Sequence, residues 1–405
     1  MIASRLLASF AFVVAGLLGR ALVDRLLAAR GGAVAVAGWA QLSSMAEVVS
    51  GVSLAGIGTA LTVLSAAGLG RDERTWLKPA LFISLVLSSG VAILLLALLP
   101  RLPTPLLPGA GYLLPLALLA GGLAVAPGLL VALLLGIGRP GRATAVIALG
   151  FVPPILCLLW GPSASSLLDL LIGQGLFGLA VAIGLAVFLR GQPPISRPGL
   201  KTLLSFLPAG LAIGILSPAA TAWARAEIAG SLSWHGAGQV QALWRTSEWI
   251  TAIMAGLLNA HFLPRLSAAA DPPAFLAELK QAVIATALPA ALLLALLWVF
   301  LPEALALLYR NAVSVRREDA VFFLLGDWVR IMSWVALIGL FARRSAWAIS
   351  LGEFLSLPLF ALLLTLFSGH FGLREVGMMW LAAYAAYAAF NAVLLRRSLG
   401  RPQLP

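Results

Sequence analysis

Charged residues are scarce in this chain. Only 10% of its 405 residues are charged and 61% are hydrophobic, whereas soluble globular proteins have roughly 25% charged and 45–50% apolar residues. A soluble fold of this composition would lack the polar residues that cover a protein surface. The composition therefore excludes a soluble enzyme, a nucleic-acid-binding module and a disordered protein, and the mean hydropathy of +1.02 indicates an integral membrane protein.

Cysteine and histidine are also nearly absent. The single cysteine, Cys157, cannot form an intramolecular disulfide, and His235, His261 and His370 are too far apart in sequence for a zinc or haem motif. No P-loop motif occurs, and the loops between apolar runs are shorter than about twenty residues, too short for a folded extramembrane domain. The sequence thus disfavours an ATP-driven transporter and a membrane enzyme with a large catalytic domain.

Long apolar runs predict an all-α integral membrane fold with about twelve transmembrane helices. The predicted spans are residues 5–27, 37–66, 79–99, 112–137, 143–160, 166–189, 203–228, 238–262, 282–301, 320–341, 347–368 and 374–395. Alternate connections differ in their basic residues: sixteen lie in the set that includes the N-terminus and the C-terminal tail, and six lie in the other set. Because cytoplasmic loops carry the excess of Lys and Arg, both termini are predicted to be cytoplasmic.

A weak internal repeat divides the chain into two halves. Glu47 and Glu248 are 201 residues apart, and the sequence GWAQ at 38–41 matches GQVQ at 238–241. The repeat predicts two pseudo-symmetric six-helix lobes related by an axis along the membrane normal, although coincidence is an alternative. The predicted boundaries are 1–190 for the N-terminal lobe, 191–200 for a cytoplasmic linker, 201–395 for the C-terminal lobe and 396–405 for a cytoplasmic tail.

Several ionisable residues lie where the sequence predicts membrane. A charge at the bilayer centre costs at least ~2.5–3.5 kcal/mol, so such residues face a protein interior or a hydrated cavity. They are Arg20, Asp24, Arg25, Glu47, Arg225, Glu227, Arg245, Glu248, Asp327, Arg330 and Glu353. The pairs at helical spacing could instead neutralise one another and only hold helices together.

All five of the basic residues within spans are arginine. Arginine stays charged when it is buried, and its planar guanidinium matches phosphate oxygens. Arginines around the lumen of a transporter therefore predict an anionic substrate, with a phosphate or diphosphate group favoured. Glu47, Glu248, Asp327 and Glu353 are candidates for proton or sodium coupling, because a carboxylate inside the membrane can take up either ion.

Two further patterns have ordinary structural explanations. The sequence GQGLFG at 173–178 matches a dinucleotide-binding fingerprint, but it lies in an apolar helix with no preceding strand. We therefore expect these glycines to serve close helix packing. Trp76, Trp160, Trp234 and Trp380 lie near the ends of predicted spans, and we expect them to be interfacial anchors.

Several short motifs stand out along the chain: QALWRTSE at 241–248, FLPRLS at 262–267, GDWVRI at 326–331, Glu353, LVDRLLA at 22–28, GWAQ at 38–41 and AGIGT at 55–59. These motifs are similar to those of the Wzx-type flippases of O-antigen and enterobacterial lipid III, in the polysaccharide branch of the multidrug/oligosaccharidyl-lipid/polysaccharide (MOP) exporter superfamily. Some relatives have a lysine and a tyrosine where this chain has Thr62-Val63-Leu64, and a lysine at the position of Arg25, which Asp24 precedes. Because of these differences, the identity of the sugar does not carry over.

The resemblance implies two six-helix lobes around a central cationic cavity and a flippase that moves undecaprenyl-diphosphate-linked oligosaccharide to the periplasmic leaflet by alternating access. The substrate-binding residues would be Arg20, Arg25, Arg225, Gln241, Arg245 and Arg330, and the coupling or gating residues Asp24, Glu47, Glu248, Asp327 and Glu353. The chain would not be an enzyme, and would need no metal or cofactor beyond a coupling H⁺ or Na⁺. It would lie in the bacterial inner membrane among membrane lipids, beside a glycan polymerase and a chain-length regulator, without nucleic acid.

Two other functions stay open at this stage. A cation-coupled multidrug exporter of the same superfamily would have a similar fold, but the excess of arginine in the spans disfavours cationic drugs. A membrane glycan polymerase or ligase would need a large periplasmic catalytic loop, and the loop at 302–319 is short.

Overall fold

The computed structural model describes residues 2–66, 74–98, 112–161, 166–191, 201, 203–204, 207–269, 271–343 and 346–399. In these ranges all of the regular elements are helices, which confirms the predicted all-α class. The α-helices are α1 (Ile2–Ser53), α2 (Thr59–Ala66), α3 (Arg74–Leu98), α4 (Leu113–Gly136), α5 (Pro140–Trp160), α6 (Ser166–Phe188), α7 (Leu207–Leu257), α8 (Leu263–Ala268), α9 (Pro272–Val299), α10 (Leu301–Tyr309), α11 (Arg317–Ala342), α12 (Ala346–Glu353), α13 (Leu357–Leu366) and α14 (Leu373–Leu399). Two π-helical segments, Leu54–Gly58 and Leu258–Phe262, follow α1 and α7.

The two longest helices, α1 and α7, are each interrupted by one residue with a positive φ. Gly32 interrupts α1 with φ of 63° and ψ of −159°. Ser233 interrupts α7 with φ of 72° and ψ of 167°. This backbone region is essentially restricted to glycine, so each helix stops and restarts at that residue. The two interruptions are 201 residues apart, the same offset as Glu47 and Glu248, which supports the predicted internal repeat.

Glycines show how the helices of the N-terminal half are oriented. Three glycines of α4 approach residues of the α1–α2 segment, and both series ascend in the same direction: Gly121 with Ala46, Gly128 with Leu54 and Gly136 with Thr62. The second half of α1 is therefore parallel to α4. The first half of α1 is parallel to α5, since Gly19 meets Phe151 and Arg30 donates to the Leu159 carbonyl. Because the short turn after Gly136 makes α4 and α5 antiparallel, α1 folds back on itself at Gly32.

The glycines at 173–178 confirm the packing explanation. A Cβ on Gly173 would lie 2.5 Å from backbone atoms of Pro154 in α5, and a Cβ on Gly178 would lie 2.7 Å from the carbonyl oxygen of Leu123 in α4. Only glycine allows the backbones to approach this closely. The motif therefore packs α6 closely against α4 and α5.

In the C-terminal half, α11 and α14 pack against each other along much of their length. Their contacts ascend together, which makes the helices parallel: Gly377 meets Phe323, Gly326 meets Trp380, and Gly339 meets Leu395. A parallel arrangement agrees with two helices separated by one further crossing of the membrane. This pair forms the framework of the candidate site described below.

Eight helices in the described ranges are individually long and apolar enough to cross a membrane, and the number is nine if the bent pair Val13–Ser53 and Gly56–Ser65 is one span. When α1 and α7 are divided at their interruptions, the helices follow the order of the twelve predicted spans. Large apolar side chains such as Ile93, Leu119 and Leu292 are exposed on these helices, as expected for surfaces that contact lipid.

Three predicted segments differ from the structure. The ninth span begins at Pro272 rather than residue 282, because the Asp271 carboxylate accepts a hydrogen bond from the Ala274 backbone and caps the helix. The predicted loop 302–319 contains α10, whose Leu305 and Tyr309 are buried. The predicted span 347–368 is broken between α12 and α13.

The chain divides into two compact units, Met1–Ala222 and Trp223–Pro405. The division falls within α7. The first part of α7 belongs to the N-terminal unit, where Gln41 donates to the Ala222 carbonyl and Gly51 packs against the carbonyl oxygen of Gly214. The lobe boundaries 1–190 and 201–395 stay a prediction, because the linker 191–200 lies outside the described residues apart from Gly191.

Candidate functional site

The fold-back of α7 brings Arg225 against Gln241. These residues are 16 positions apart, a separation that would place them about 24 Å apart on a straight helix. Instead the Arg225 Nε donates to the Gln241 Oε1 at 3.0 Å, because the helix reverses at Ser233, midway between them. Arg225 also lies over the ring of Trp244, with 5.6 Å between its Cζ and the ring centroid.

Arg245 and Glu248 form an ion pair on the second half of α7. The Arg245 Nη1 donates to the Glu248 Oε2 at 2.5 Å, and the two side chains are 17% and 29% exposed. The pair has i,i+3 spacing, as expected from the sequence. Because both side chains keep some exposure, a ligand could reach this guanidinium without unfolding the helix.

An aromatic cluster lies beside these charges. Trp244 contacts Trp380 of α14 at 4.6 Å between ring centroids, and Trp380 stacks on Phe323 of α11 at 5.0 Å. On α14, the residues Trp380, Tyr384, Tyr387 and Asn391 are spaced by four, three and four positions, so they share one buried face. The sequence reading missed this stripe, although its spacing was visible in the sequence.

Asp327 and Arg330 of α11 lie against this stripe. The side chain of Asp327 is 0% exposed and accepts a hydrogen bond from the Trp380 Nε1 at 3.2 Å. The Arg330 Nη1 lies 3.8 Å from the Asp327 Oδ1, and the Arg330 side chain is 18% exposed. The Cζ of Arg330 is 4.7 Å from the ring of Trp334, 5.6 Å from Trp380 and 5.4 Å from Tyr384. Three aromatic faces therefore surround this cation.

Glu353 lies one turn further along the stripe, at the end of α12. The Tyr387 hydroxyl donates to the Glu353 Oε1 at 3.2 Å, and the Ser356 hydroxyl donates to the Glu353 carbonyl at 2.8 Å. Asn391, one turn beyond Tyr387 on α14, is fully buried. Its Oδ1 faces Gly352, where an added Cβ would lie 2.9 Å away.

The remaining predicted site residues lie in the N-terminal unit, on α1. Asp24 is buried, Arg25 is half-buried, and Arg20 and Glu47 are exposed. A further acid of this unit was missed: Asp169 in the first turn of α6 is buried and lies 3.9 Å from the Arg30 guanidinium. Its position in an apolar helix was the available signal.

Seven predicted site residues thus belong to one network in the C-terminal unit: Arg225, Gln241, Arg245, Glu248, Asp327, Arg330 and Glu353. Their functional roles stay predictions. The expectation that Trp380 is an interfacial anchor was wrong, because its side chain is 0% exposed and is hydrogen-bonded to Asp327. Trp160, by contrast, is 78% exposed at the end of α5.

The network combines three guanidinium groups with three carboxylates. Guanidinium groups can bind an oxyanion with several parallel hydrogen bonds, and the nearby carboxylates can bind a proton or a small cation. Within the described ranges, no group of three or more His, Cys, Asp or Glu side chains could hold a metal ion.

No protein-family model matches the sequence, and no curated protein matches it. Solved structures do match. An inward-facing multidrug resistance MATE family transporter of the MOP superfamily superposes with a TM-score of 0.75 at 14% identity, over 93% of this chain and 94% of that chain. An outward-facing transporter of the same description gives 0.67 at 14% identity, over 98% and 97% of the two chains. A MOP superfamily transporter from Pyrococcus furiosus, described as having a binding pocket of reverse polarity, gives 0.62 at 13% identity, over 98% and 94%. The chain therefore has the all-α fold of the MATE transporters of the MOP superfamily.

Proposed function

We propose that this chain is a membrane transporter that flips a lipid-diphosphate-linked oligosaccharide from the cytoplasmic to the periplasmic leaflet of a bacterial inner membrane. The observation that carries the proposal is the set of arginines on mid-helix positions of the C-terminal unit: Arg225 on α7, Arg245 beyond the fold-back, and Arg330 on α11. The guanidinium group of each arginine interacts with a side chain of the protein, which is Gln241, Glu248 or Asp327 respectively.

The cost of burying arginine supports an anionic substrate. Small residues pack helices in a membrane at lower free-energy cost than charges do, so three arginines in apolar helices need a reason beyond packing. Arg245 keeps 17% exposure, and its guanidinium could exchange the Glu248 carboxylate for a phosphate of similar geometry. The diphosphate would bind the arginines, and Gln241 would hold Arg225 and bind sugar hydroxyls.

Arg20 and Arg25 of the N-terminal unit are further candidates for binding an anionic substrate. The carboxylates Asp24, Glu47, Glu248, Asp327 and Glu353 would couple transport to H⁺ or Na⁺, without another cofactor. Membrane lipids, a glycan polymerase and a chain-length regulator would be the partners, and both termini would lie in the cytoplasm. In this scheme the chain binds and moves its substrate without making or breaking a covalent bond.

Multidrug export is the second candidate, and one observation favours it: two of the superposed structures are described as multidrug resistance transporters. At 14% identity this description belongs to those proteins. An aromatic-lined acidic cavity suits organic cations, whereas the network here contains three arginines and three carboxylates. A cationic drug would have to displace an arginine from its partner, so we rank this function second.

Substitution of the arginines in a lipid-flipping assay tests the proposed function. In liposomes that contain the purified chain and a fluorescently labelled polyprenyl diphosphate oligosaccharide, the parent chain should expose inner-leaflet label to an impermeant quencher. We expect Arg225→Ala and Arg245→Ala each to lower this rate at least tenfold. Arg316→Ala removes an exposed arginine whose partner is Asp319, and it should leave the rate unchanged.

The same arginine variants separate the two functions. Flipping that survives both substitutions would overturn the cationic-site mechanism. Efflux of a cationic dye by the parent chain, with no flipping of the labelled lipid, would make multidrug export the better assignment. In cells that encode the chain, loss of the surface glycan on deletion and its recovery with Arg316→Ala but not Arg245→Ala would support the flippase.

A further inference from the structure

The guanidinium of Arg330 is surrounded by aromatic rings from two helices. Its Cζ is 4.7 Å from the ring centroid of Trp334, 5.6 Å from that of Trp380 and 5.4 Å from that of Tyr384. Trp334 follows Arg330 by one turn of α11, and the other two rings are one turn apart on α14. These three rings, together with the Asp327 carboxylate, are called the cation cage below.

The walls of the cage are held by contacts between α11 and α14 that do not involve Arg330. Gly326 makes room for Trp380, because an added Cβ would overlap the indole ring. The Trp380 Nε1 donates to the Asp327 Oδ1 at 3.2 Å, and the rings of Trp380 and Tyr384 are in contact at 4.6 Å between centroids. Both rings are buried. We therefore expect the walls to persist when the Arg330 side chain is removed.

The surroundings of the cage favour a positive charge. The Asp327 side chain is fully buried, and its Oδ1 is 3.8 Å from the Arg330 Nη1. The Ser247 side chain also forms a hydrogen bond with Asp327. Arg330 interacts electrostatically with Asp327, Glu248, Glu353, Tyr384 and Tyr387. Because a buried carboxylate without a counter-ion is strongly destabilising, the loss of Arg330 would leave a site that attracts another cation.

The cage holds the guanidinium by charge and aromatic faces rather than by directional bonds. Within the described part of the chain, the Nε and Nη1 of Arg330 are buried and make no hydrogen bond. Attraction between a cation and an aromatic face needs a positive charge and no particular N–H donor, and aromatic cages bind quaternary ammonium groups in this way. The chemistry that fits the cage is therefore that of a small organic cation, an alkylguanidinium or a quaternary ammonium ion.

We propose that Arg330 is a specificity-determining residue, whose own guanidinium fills a cage that would otherwise bind a small organic cation. While Arg330 is in place, such a cation is excluded from this part of the C-terminal unit. Removal of the side chain beyond Cβ leaves a cavity with aromatic walls and a carboxylate. The Arg330 side chain is 18% exposed, so the cage is not sealed and a ligand can reach it. The inference concerns the chain without substrate and does not depend on the proposed function.

Chemical rescue of an arginine deletion tests the proposal. The measurement is the apparent melting temperature of the purified full chain in millimolar ethylguanidinium chloride, which replaces the deleted part of the side chain, or in tetramethylammonium chloride. We expect Arg330→Ala to lower the melting temperature and either cation to restore at least half of the loss, because a ligand that binds only the folded chain stabilises it. The parent chain should not respond, and NaCl at the same concentration should restore much less. A variant that gains no more from the organic cations than from NaCl, or no more than the parent gains, would overturn the proposal.

Two controls locate the effect in the cage. Trp334→Ala removes one wall, and in the Arg330→Ala background it should raise the Kd of ethylguanidinium at least about threefold. Arg265→Ala deletes an arginine that is 41% exposed and paired with Glu278. Because that deletion leaves an open site in contact with water, the organic cations should not raise its melting temperature. An unchanged Kd in the first control, or an equal rescue in the second, would overturn the proposal.

Two other variants keep the proposal testable if Arg330→Ala does not fold even with ethylguanidinium. Arg330→Lys keeps the positive charge, whereas Arg330→Gln keeps hydrogen-bond donors without the charge. The lysine variant should therefore have the higher melting temperature, and a glutamine variant of equal or greater stability would overturn the proposal. Because no lipid substrate is present in these measurements, a failed flipping assay beside a successful rescue would count against the proposed function alone.

Discussion

Replacing Ser233, the strained residue at the reversal of α7, with glycine should stabilise the protein. Ser233 has φ of 72° and ψ of 167°, while Gly32 occupies the corresponding position of α1 with φ of 63° and ψ of −159°. We expect the reciprocal exchange to have opposite effects, with Ser233→Gly stabilising and Gly32→Ser destabilising the chain. The physical reason is that only glycine adopts this backbone region without cost.

The magnitude follows from two opposing contributions. A non-glycine residue in this region costs about 1–3 kcal/mol, and a new glycine loses about 0.4–1 kcal/mol through the greater entropy of the unfolded chain. The Ser233 hydroxyl accepts from the Gly236 backbone only at 3.5 Å, so its loss adds little. The net gain for Ser233→Gly is about 1 kcal/mol. Gly32→Ser should cost about 1–3 kcal/mol from the backbone alone, because no atom lies within 4 Å of the added Cβ.

The assay is the apparent melting temperature of the purified chain, followed by the loss of its monodisperse peak after heating. A net change of 1 kcal/mol corresponds to roughly 2 °C or slightly less for a chain of this length. Gly184→Ser is the matched control, since Gly184 is helical, exposed and has open space around its Cβ, and it should be neutral or slightly stabilising. A melting temperature that falls with Ser233→Gly, or that is unchanged with Gly32→Ser, would refute the reasoning.

Three further substitutions test packing, a buried hydrogen bond and a helix cap. Gly121→Ala should lower stability by about 1–3 kcal/mol, because its Cβ would lie 2.5 Å from a backbone oxygen of α1. Gly122→Ala has open space around its Cβ and should be neutral or stabilising by up to ~1 kcal/mol. Equal melting temperatures of the two variants would contradict this. Trp380→Phe removes the donor to the fully buried Asp327 carboxylate and should lower stability by about 1.5–3 kcal/mol. Trp328→Phe should cost less, because the Trp328 indole donates to a neutral backbone carbonyl. The melting temperatures of the two variants test this order. Asp271→Ala removes the cap of α9 and should cost about 0.5–2 kcal/mol, and the Asn variant should recover most of it if capping is the cause.

Local patterns predicted much of the fold because they depend on few distant contacts. The apolar runs located the membrane helices, since a backbone in lipid has to satisfy its own hydrogen bonds as helix. The glycines at 173–178 were assigned to packing from their apolar context alone, and the structure places them against α4 and α5. The repeat offset of about 200 residues reappears in the interruptions at Gly32 and Ser233.

Other features depend on which helices become neighbours. Trp380 lies near the end of an apolar run, where an interfacial anchor is the usual role, yet the parallel pairing of α11 and α14 places its indole on Asp327. Gly352 and Pro358 flank the break between α12 and α13, but a proline in a membrane span ordinarily only kinks it, so the sequence predicted one continuous span. Ser233 gives no sequence signal of a positive φ, because serine ordinarily avoids that region.

The sequence by itself indicated a membrane protein, its helical class and the order of its spans. It also identified the charged residues within spans that have to face a protein interior or water rather than lipid. These properties follow from composition and from the hydrogen-bonding demand of the backbone in lipid. Only the tertiary structure decided how the charges are paired. The reversal at Ser233 brings Arg225 to Gln241, and the aromatic face of α14 lies against both Asp327 and Arg330. Pairing is a property of helix contacts, because a buried charge is stabilised by whichever groups the fold brings within a few ångströms of it.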